Sequence, residues 1–208
     1  MAAARAIPAS GTLVRMATLL LARHGETDWN RTHRWQGFTG PSLNETGRRQ
    51  ARELAARLSD IDAIYSSDTD RALETARVVA ARLGLTVRED QRLRELNFGE
   101  WEGLTRHEIN QRYAGAFSRW DACELAEPTG GESDAAMAER VLQALSEIAE
   151  RHGDGRVLVV TSGGPIRAVQ AHAGGIEQAL ARRHFDRVEN CTLVELVLRD
   201  GVFHLADA

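Results

Sequence analysis

Apolar residues fall along this chain in two rhythms: short unbroken runs, and longer stretches with an apolar position every third or fourth residue. Thr18–Ala22 (TLLLA) is an unbroken run that stops at Arg23-His24-Gly25, the pattern of a buried strand. From Glu45 to Leu58, Ala51, Leu54, Ala55 and Leu58 share one side of a helical period, which predicts an amphipathic helix. Ile61–Ser66 predicts a second strand. Asp70–Leu83 predicts a second helix, stopped by Gly84 at its C′ position, and Leu85–Arg88 a short third strand. Residues 97–131 are less periodic and richer in Gly, Trp and charge, as expected of short helices or a lid bounded by Pro128 and Gly130-Gly131. Glu132–Arg151 reads as a long helix with Ala136, Val141, Leu142, Leu145 and Ile148 inward. Arg156–Thr161 (RVLVVT) is the most strand-like run, and Gly163-Gly164 breaks it ahead of a helix over Ile166–Ala173. Thr192–Leu198 and Val202–Leu205 flank Arg199-Asp200-Gly201, a hairpin signature.

Strands alternating with helices and then a closing hairpin predict an α/β three-layer sandwich with a mostly parallel sheet. One domain over residues 17–208 accounts for the 208-residue chain, with residues 97–131 as a cap segment. Residues 1–16 are expected to be a flexible tail or an over-extended start, since Met16 stands just before the first strand.

Composition narrows the function. With 30 acidic and 26 basic residues the net charge is −4, which argues against a nucleic-acid partner held by a general basic field. Every one of the 26 bases is arginine. Schiff-base chemistry on lysine and a P-loop lysine are therefore excluded, and any phosphate or carboxylate site must be read by guanidinium forks. Cys123 and Cys191 stand far apart with no CxxC or Cys/His clustering, and the 7 histidines show no HxH or HExxH spacing, so no metal or other cofactor is expected. No apolar run approaches the ~18 residues of a membrane span, and the N-terminus lacks a secretory apolar core. A cytoplasmic protein with no membrane partner is expected.

The chemistry gathers at two strand ends: Arg23-His24-Gly25-Glu26-Thr27 after the first strand, and Ser162-Gly163-Gly164-Pro165 after RVLVVT. Open α/β sheets collect ligands at the carboxyl ends of their strands. Glycines there let backbone amides approach an anion, and a helix next in the chain offers its positive end. An arginine beside a histidine has a plain use, the guanidinium holding a phosphate while imidazole nitrogen attacks phosphorus. Taken alone, Arg-His-Gly is more often a packed or surface histidine than a catalytic one.

Several ordered motifs extend the pattern: Arg23–Asn30 (RHGETDWN), Arg34-Trp35-Gln36-Gly37, Ser42-Leu43 with Thr46-Gly47 and Gln50-Ala51, Tyr65–Ala72 (YSSDTDRA) with Thr75-Ala76, and Leu93–Gly103 (LRELNFGEWEG). Together they resemble the histidine phosphatase (phosphoglycerate mutase-like) superfamily from Leu19 to about Arg167, and the tail matches its closing strands. The resemblance implies that His24 becomes a transient phosphohistidine and that Glu95 protonates the leaving oxygen and later activates water. It implies that Arg23 and Arg71 clamp phosphate, that Asn30 adds a donor, and that Thr27, Gln36 and Gly37 line the pocket. Glu100 and Glu102 stand near enough to substitute for Glu95, while Asp70 and Glu74 read as helix-face charges. Trp101, Tyr113, Phe117 and Trp120 either stack on a substrate ring or pack the cap, packing being the commoner use.

One departure stands out. The family places a second histidine before the Gly-Gly, and this chain has Ser162 there. A serine hydroxyl is shorter and uncharged, reaching phosphate through water, and losing one pre-organised donor costs about 10²–10³ in rate. Three readings are open: a slow or specialised phosphatase using Arg23, Arg71, Asn30, Ser162 and the Gly163 amide region; a phosphate-ester sensor that binds without turnover; or a laboratory substitution made to trap a complex. His184 and Arg167 are the residues that would fill the gap. The resemblance also leaves a phosphoglycerate mutase-type phosphotransferase as an alternative, although the family's mutases are longer and carry a basic, tyrosine-containing stretch after the acid. A small phosphorylated metabolite is the expected partner, and a homodimer is compatible with the family.

Overall fold

The apolar runs become strands of one sheet, and the periodic stretches become the helices that cover it. The computed structural model describes residues 17–199 and 201–206, so the tail expected at residues 1–16 and the turn residue Asp200 lie outside the described residues. In chain order the elements are β1 (Ala17–Arg23), α1 (Asp28–Arg31), α2 (Glu45–Arg57), β2 (Ala63–Ser66), α3 (Asp70–Leu83) and β3 (Val87–Glu89). Next come α4 (Arg106–Arg112), α5 (Ala116–Asp121), α6 (Asp134–His152), β4 (Arg156–Thr161), α7 (Gly163–Ala173), α8 (Ala181–His184), β5 (Leu193–Arg199) and β6 (Val202–Leu205). The sheet has 6 strands in the order β3-β2-β4-β1-β5-β6. β3, β2, β4 and β1 run parallel, β5 is antiparallel to β1, and β6 is antiparallel to β5.

Alternation along the strands divides the core. Leu20 and Ala22 of β1 with Leu158 and Val160 of β4 pack against Leu54 and Ala55 of α2 and Ala76 and Val79 of α3. Leu19, Leu21, Val157 and Val159 point the other way, onto Val141, Leu145 and Ile148 of α6 and Ile166 and Val169 of α7. Successive side chains of a strand face opposite sides, so near-continuous apolar runs are what a sheet buried on both faces requires. The α/β three-layer sandwich is thus present, with helices on both faces of a mostly parallel sheet. Among the described residues no helix is long and apolar enough to cross a membrane.

Element boundaries differ from expectation where caps decide them. The third strand begins at Val87 rather than Leu85, because Leu85 N donates to Ala80 O (3.1 Å) in the turn that ends α3, with Gly84 left-handed at φ 69°. The long helix begins at Asp134, capped by Ser133, since Glu132 Oε1 instead accepts from Asn97 N (2.8 Å). The largest correction concerns α7. The strand does end ahead of Gly163-Gly164 as expected, but these glycines are already the first residues of the helix, which starts at Gly163 rather than Ile166, with Ser162 extended just before them. Pro165 is tolerated there because the first N–H groups of a helix have no intrahelical partner.

Candidate active site

Two neighbouring strands deliver the chemistry to one edge. Arg23 ends β1 and Thr161 ends β4, and the two are register partners. The loops leaving the two strands therefore emerge side by side, with His24 N donating to Thr161 O at 2.9 Å. A cavity of about 420 Å³ opens at this edge, lined by Arg23, His24, Asn30, Gln36, Glu95 and Gly163 together with side chains from the 97–131 segment.

His24 is 3% exposed, and its ring nitrogens face opposite partners. Nδ1 lies 2.7 Å from the Gly25 carbonyl oxygen, and Nε2 lies 3.2 Å from Nε of Arg71. A carbonyl only accepts and a guanidinium only donates, so the hydrogen belongs on Nδ1 and the lone pair on Nε2. Burial, then the charges of Arg71 and Arg23, hold the ring's pKa well below the usual 6.5. Both effects disfavour imidazolium, so the ring is neutral near pH 7.

Arg71 reaches the site from α3 and is 1% exposed. Besides His24 it donates from Nη1 to Thr39 O (3.1 Å) and from Nη2 to Gly37 O (2.6 Å). Those carbonyls lie in a loop pinned by Glu102, whose Oε1 accepts from Phe38 N and Oε2 from Thr39 N, each at 2.9 Å. Arg23 donates from Nη1 to Val188 O (2.6 Å), while its Nε is buried without a partner. Burial and the nearby charge of Arg187 lower its pKa to about 10, which still leaves it charged at neutral pH. Two buried guanidiniums beside one neutral imidazole make a site that favours an anion.

Glu95 lines the same cavity and acts electrostatically on both arginines. Its Oε1 accepts from Leu96 N (2.7 Å) and its Oε2 from Gly164 N (2.9 Å), which ties the carboxyl group to the start of α7. The segment behind it is held by Thr161 Oγ1 donating to Leu93 O (2.6 Å) and by Arg140 donating to the carbonyls of Arg92, Arg94 and Glu95 at 2.7–2.8 Å. Glycine at 164 leaves room for this carboxyl group, since a Cβ there would sit 1.9 Å from Glu95 Oε1 and displace it.

The other expected residues divide into wall and scaffold. Thr27 caps α1 in a reciprocal box with Asn30: Asn30 N donates to Thr27 Oγ1 (3.2 Å) and Thr27 N to Asn30 Oδ1 (3.1 Å). Gln36 Nε2 also donates to Thr27 Oγ1. The Thr27 hydroxyl is thus occupied, and only Nδ2 of the Asn30 amide is left for the cavity. Ser162 is 1% exposed, its hydroxyl has no hydrogen-bond partner, and it does not line the cavity. Gly163, one residue later, does. Glu102 is committed to the Phe38–Thr39 backbone, so it does not stand in for Glu95, and neither it nor Glu100 lines the cavity. Glu74 is more than a helix-face charge, accepting from Leu43 N (3.0 Å) and Arg48 Nε (2.7 Å). Trp101 is wholly buried, whereas Phe117 and Trp120 both pack together (5.8 Å between centroids) and line the cavity.

Sequence reading missed Glu102 as the clamp on the Arg71 loop. It also missed Asn190, whose Nδ2 donates to His24 O (2.8 Å) and Asn30 Oδ1 (3.3 Å). Both act across large separations, and although Glu102 lies within the Leu93–Gly103 motif, nothing local there points to Phe38 and Thr39. Among the described residues no group of three or more His, Cys, Asp and Glu could hold a metal ion.

Residues 19–207 match the family model for the histidine phosphatase superfamily (branch 1). The chain belongs to this superfamily. Among curated relatives of this histidine phosphatase, phosphoserine phosphatase 1 of Hydrogenobacter thermophilus is 37% identical over 165 residues, 78% of each chain. Glucosyl-3-phosphoglycerate phosphatase of Mycobacterium tuberculosis is 37% identical over 168 residues, 76% of this chain and 75% of the relative. Among solved structures, Bacillus stearothermophilus YhfR superposes with a TM-score of 0.85 at 36% identity, covering 91% of this chain and 95% of that one. A mycobacterial glucosyl-3-phosphoglycerate phosphatase in complex with VO3 gives 0.79 at 33% identity, covering 92% and 96%.

Proposed function

We propose that this member of the superfamily is a phosphomonoester hydrolase that passes the phosphoryl group of a small phosphorylated metabolite through His24. The observation that carries this is the neutral Nε2 lone pair of a buried histidine set between two buried arginines. Nε2 attacks phosphorus while Arg23 and Arg71 neutralise the phosphoryl oxygens. The P–O ester bond breaks, and the carboxyl proton of Glu95 goes to the leaving oxygen. Nδ1–H stays on the Gly25 carbonyl, which steadies the positive ring of the phosphohistidine. Water then attacks phosphorus, Glu95 takes its proton, and the P–N bond breaks to release orthophosphate and neutral His24. One carboxyl group thereby serves as acid and then as base, a role generally worth ~10²–10⁴ in rate.

Phosphatases among the relatives act, by name, on phosphoserine and glucosyl-3-phosphoglycerate, which supports a small metabolite here. A cavity of about 420 Å³ is in the range of small-molecule sites. Its wall includes Arg106, stacked 4.9 Å over Phe117, and Arg187; neither has a carboxylate partner among the described residues. That favours a substrate whose organic part is itself polar or anionic. Residues 97–131, which supply Phe98, Arg106, Phe117 and Trp120 to the wall, serve as the cap that selects it.

The second reading is a phosphate-ester binding protein with little turnover, favoured by the uncharged, inward-held Ser162. Rapid quenching with a ³²P-labelled ester separates the two. Hydrolysis predicts orthophosphate release, acid-labile and base-stable label on His24, and loss of both in His24→Ala. Tight ester binding with no release and no label would establish the sensor instead. Label passed to an acceptor alcohol faster than to water would identify a mutase.

A further inference from the structure

We propose that Arg167 is a third guanidinium gripping the transferring phosphoryl group, a catalytic residue acting from the α7 side of the site; this rests on the phosphohistidine reading above. Arg167 lies one helical turn beyond Gly163 on α7, and helical side chains lean back toward the N-terminus. It lines the same cavity as Arg23, His24 and Glu95. A Cβ placed on Gly163 would meet Arg167 Nη1 at 3.5 Å and Arg23 Nε at 3.8 Å. Two guanidiniums thus converge on one point of the cavity floor, directly after β4 and beside the nucleophile.

Neither converging guanidinium is fully satisfied by protein. Arg23 Nε is buried with no partner, and Arg167 makes no hydrogen bond or ion pair with the described residues. Of the other arginines of the wall, Arg106 stacks over Phe117, Arg187 acts on Arg23 but does not appear beside Gly163, and the remaining two are paired with carboxylates. Arg182 pairs with Asp134 and lies 3.9 Å over the Trp120 ring, and Arg34 pairs with Glu108 at 2.9 Å. The charge of Arg167 also acts on Arg23, adding to the lowering of its pKa. Glu95 acts on Arg23 and Asp134 on Arg167, but neither carboxylate hydrogen-bonds to these two guanidiniums among the described residues. Their open donors favour an anion, and a tetrahedral phosphoryl group has oxygens enough for several forks. Ser162, the residue at the same strand end, is uncharged, 1% exposed and faces no part of the cavity. Arg167 therefore supplies positive charge on the side where Ser162 supplies none.

The test uses the full chain with p-nitrophenyl phosphate as substrate and orthovanadate as a small anionic probe. Arg167→Ala and Arg167→Gln are compared with wild type and with Arg183→Ala, an exposed control on α8. The expected result is a fall in kcat/KM of about 10²-fold in both Arg167 variants. Vanadate inhibition should weaken in parallel, and added guanidinium ion should restore part of the Arg167→Ala rate. Arg183→Ala should remain at the wild-type level, and thermal melts confirm that each variant is folded. Vanadate affinity and turnover within about threefold of wild type in folded Arg167 variants would overturn the proposal while leaving the His24 reading intact. If wild type shows no turnover but binds vanadate in an Arg167-dependent way, the grip stands and the hydrolase reading fails.

Discussion

Nε of Arg71 donates its hydrogen to Nε2 of His24 across 3.2 Å, so a buried cation rests on the lone pair that would attack phosphorus. The same guanidinium spans the carbonyls of Gly37 and Thr39, which fixes its plane. This contact favours the neutral ring with its lone pair on Nε2, and in the proposed mechanism a phosphoryl oxygen then takes over the donor. His24 and Arg71 are therefore one hydrogen-bonded unit.

Arg71→Lys should break that unit. An ammonium cannot span Nε2 and two carbonyls with a planar fork. The expected loss in kcat/KM is ~10²–10³. Arg71→Leu removes one of the charges that depress the His24 pKa, so the acidic limb of the kcat/KM profile should move to higher pH. A rate–pH profile checks both, and an unmoved limb would dissociate Arg71 from the nucleophile.

Glu95→Gln should discriminate between leaving groups. An alkyl phosphate needs a proton on its departing oxygen and is expected to lose ~10²–10⁴ in rate, whereas p-nitrophenyl phosphate, with its good leaving group, should lose far less in the phosphorylation step. Gly164→Ala should show the same leaving-group pattern without touching the carboxylate chemically, because its Cβ would fall 1.9 Å from Glu95 Oε1. Parallel kinetics on the two esters test this, and equal losses on both would remove Glu95 from the acid role.

Acid should destabilise the fold partly through His24. In the unfolded chain the ring protonates below about 6.5, while in the fold it stays neutral well below that. The unfolded state thus binds more protons in this window, so stability is complete above 6.5 and falls as pH drops toward the folded pKa. The slope reaches at most about 1.4 kcal/mol per pH unit for one such group. His152, whose pKa is lowered by burial and then by Arg88 and Arg151, acts in the same direction. Urea unfolding at pH 7.5 and 5.5 should show a smaller difference in His24→Gln than in wild type, and an identical difference would refute the assignment.

Glu102→Ala should act at a distance. Freed from Glu102, the Phe38 and Thr39 amides no longer hold the loop whose carbonyls orient Arg71. A fall of about tenfold or more in kcat is expected, with partial recovery in Glu102→Gln, whose amide oxygen still accepts one bond. Full activity in Glu102→Ala would show that Arg71 orients itself.

Much of this was legible from local sequence. Buried strands declare themselves as apolar runs, and the residues just past their carboxyl ends fall at the ligand edge, so Arg23, His24 and Gly163 could be placed without coordinates. Register between β1 and β4 then decided that they meet. The caps explain the boundary errors: Gly163-Gly164 reads as punctuation because helical starts and breaks share residue types, and only the backbone tells them apart. The aromatic residues of the cap divided for a similar reason, since the burial of Trp101 and the placement of Phe117 and Trp120 on the cavity wall depend on how the short helices α4 and α5 lie.

Taken by itself, the order of residues determined the layered α/β plan, the superfamily, and the arginine-only reading of an anion, because each comes from short-range periodicity, local motifs or composition. Tertiary packing alone decided which nitrogen of His24 carries the lone pair, that Ser162 is buried off the cavity wall, and that Glu102 and Asn190 brace the loops around Arg71 and His24 while Arg167 lines the cavity. Those facts depend on side chains brought together from up to 166 positions away, as with Asn190 and His24, and no local spacing encodes such a meeting.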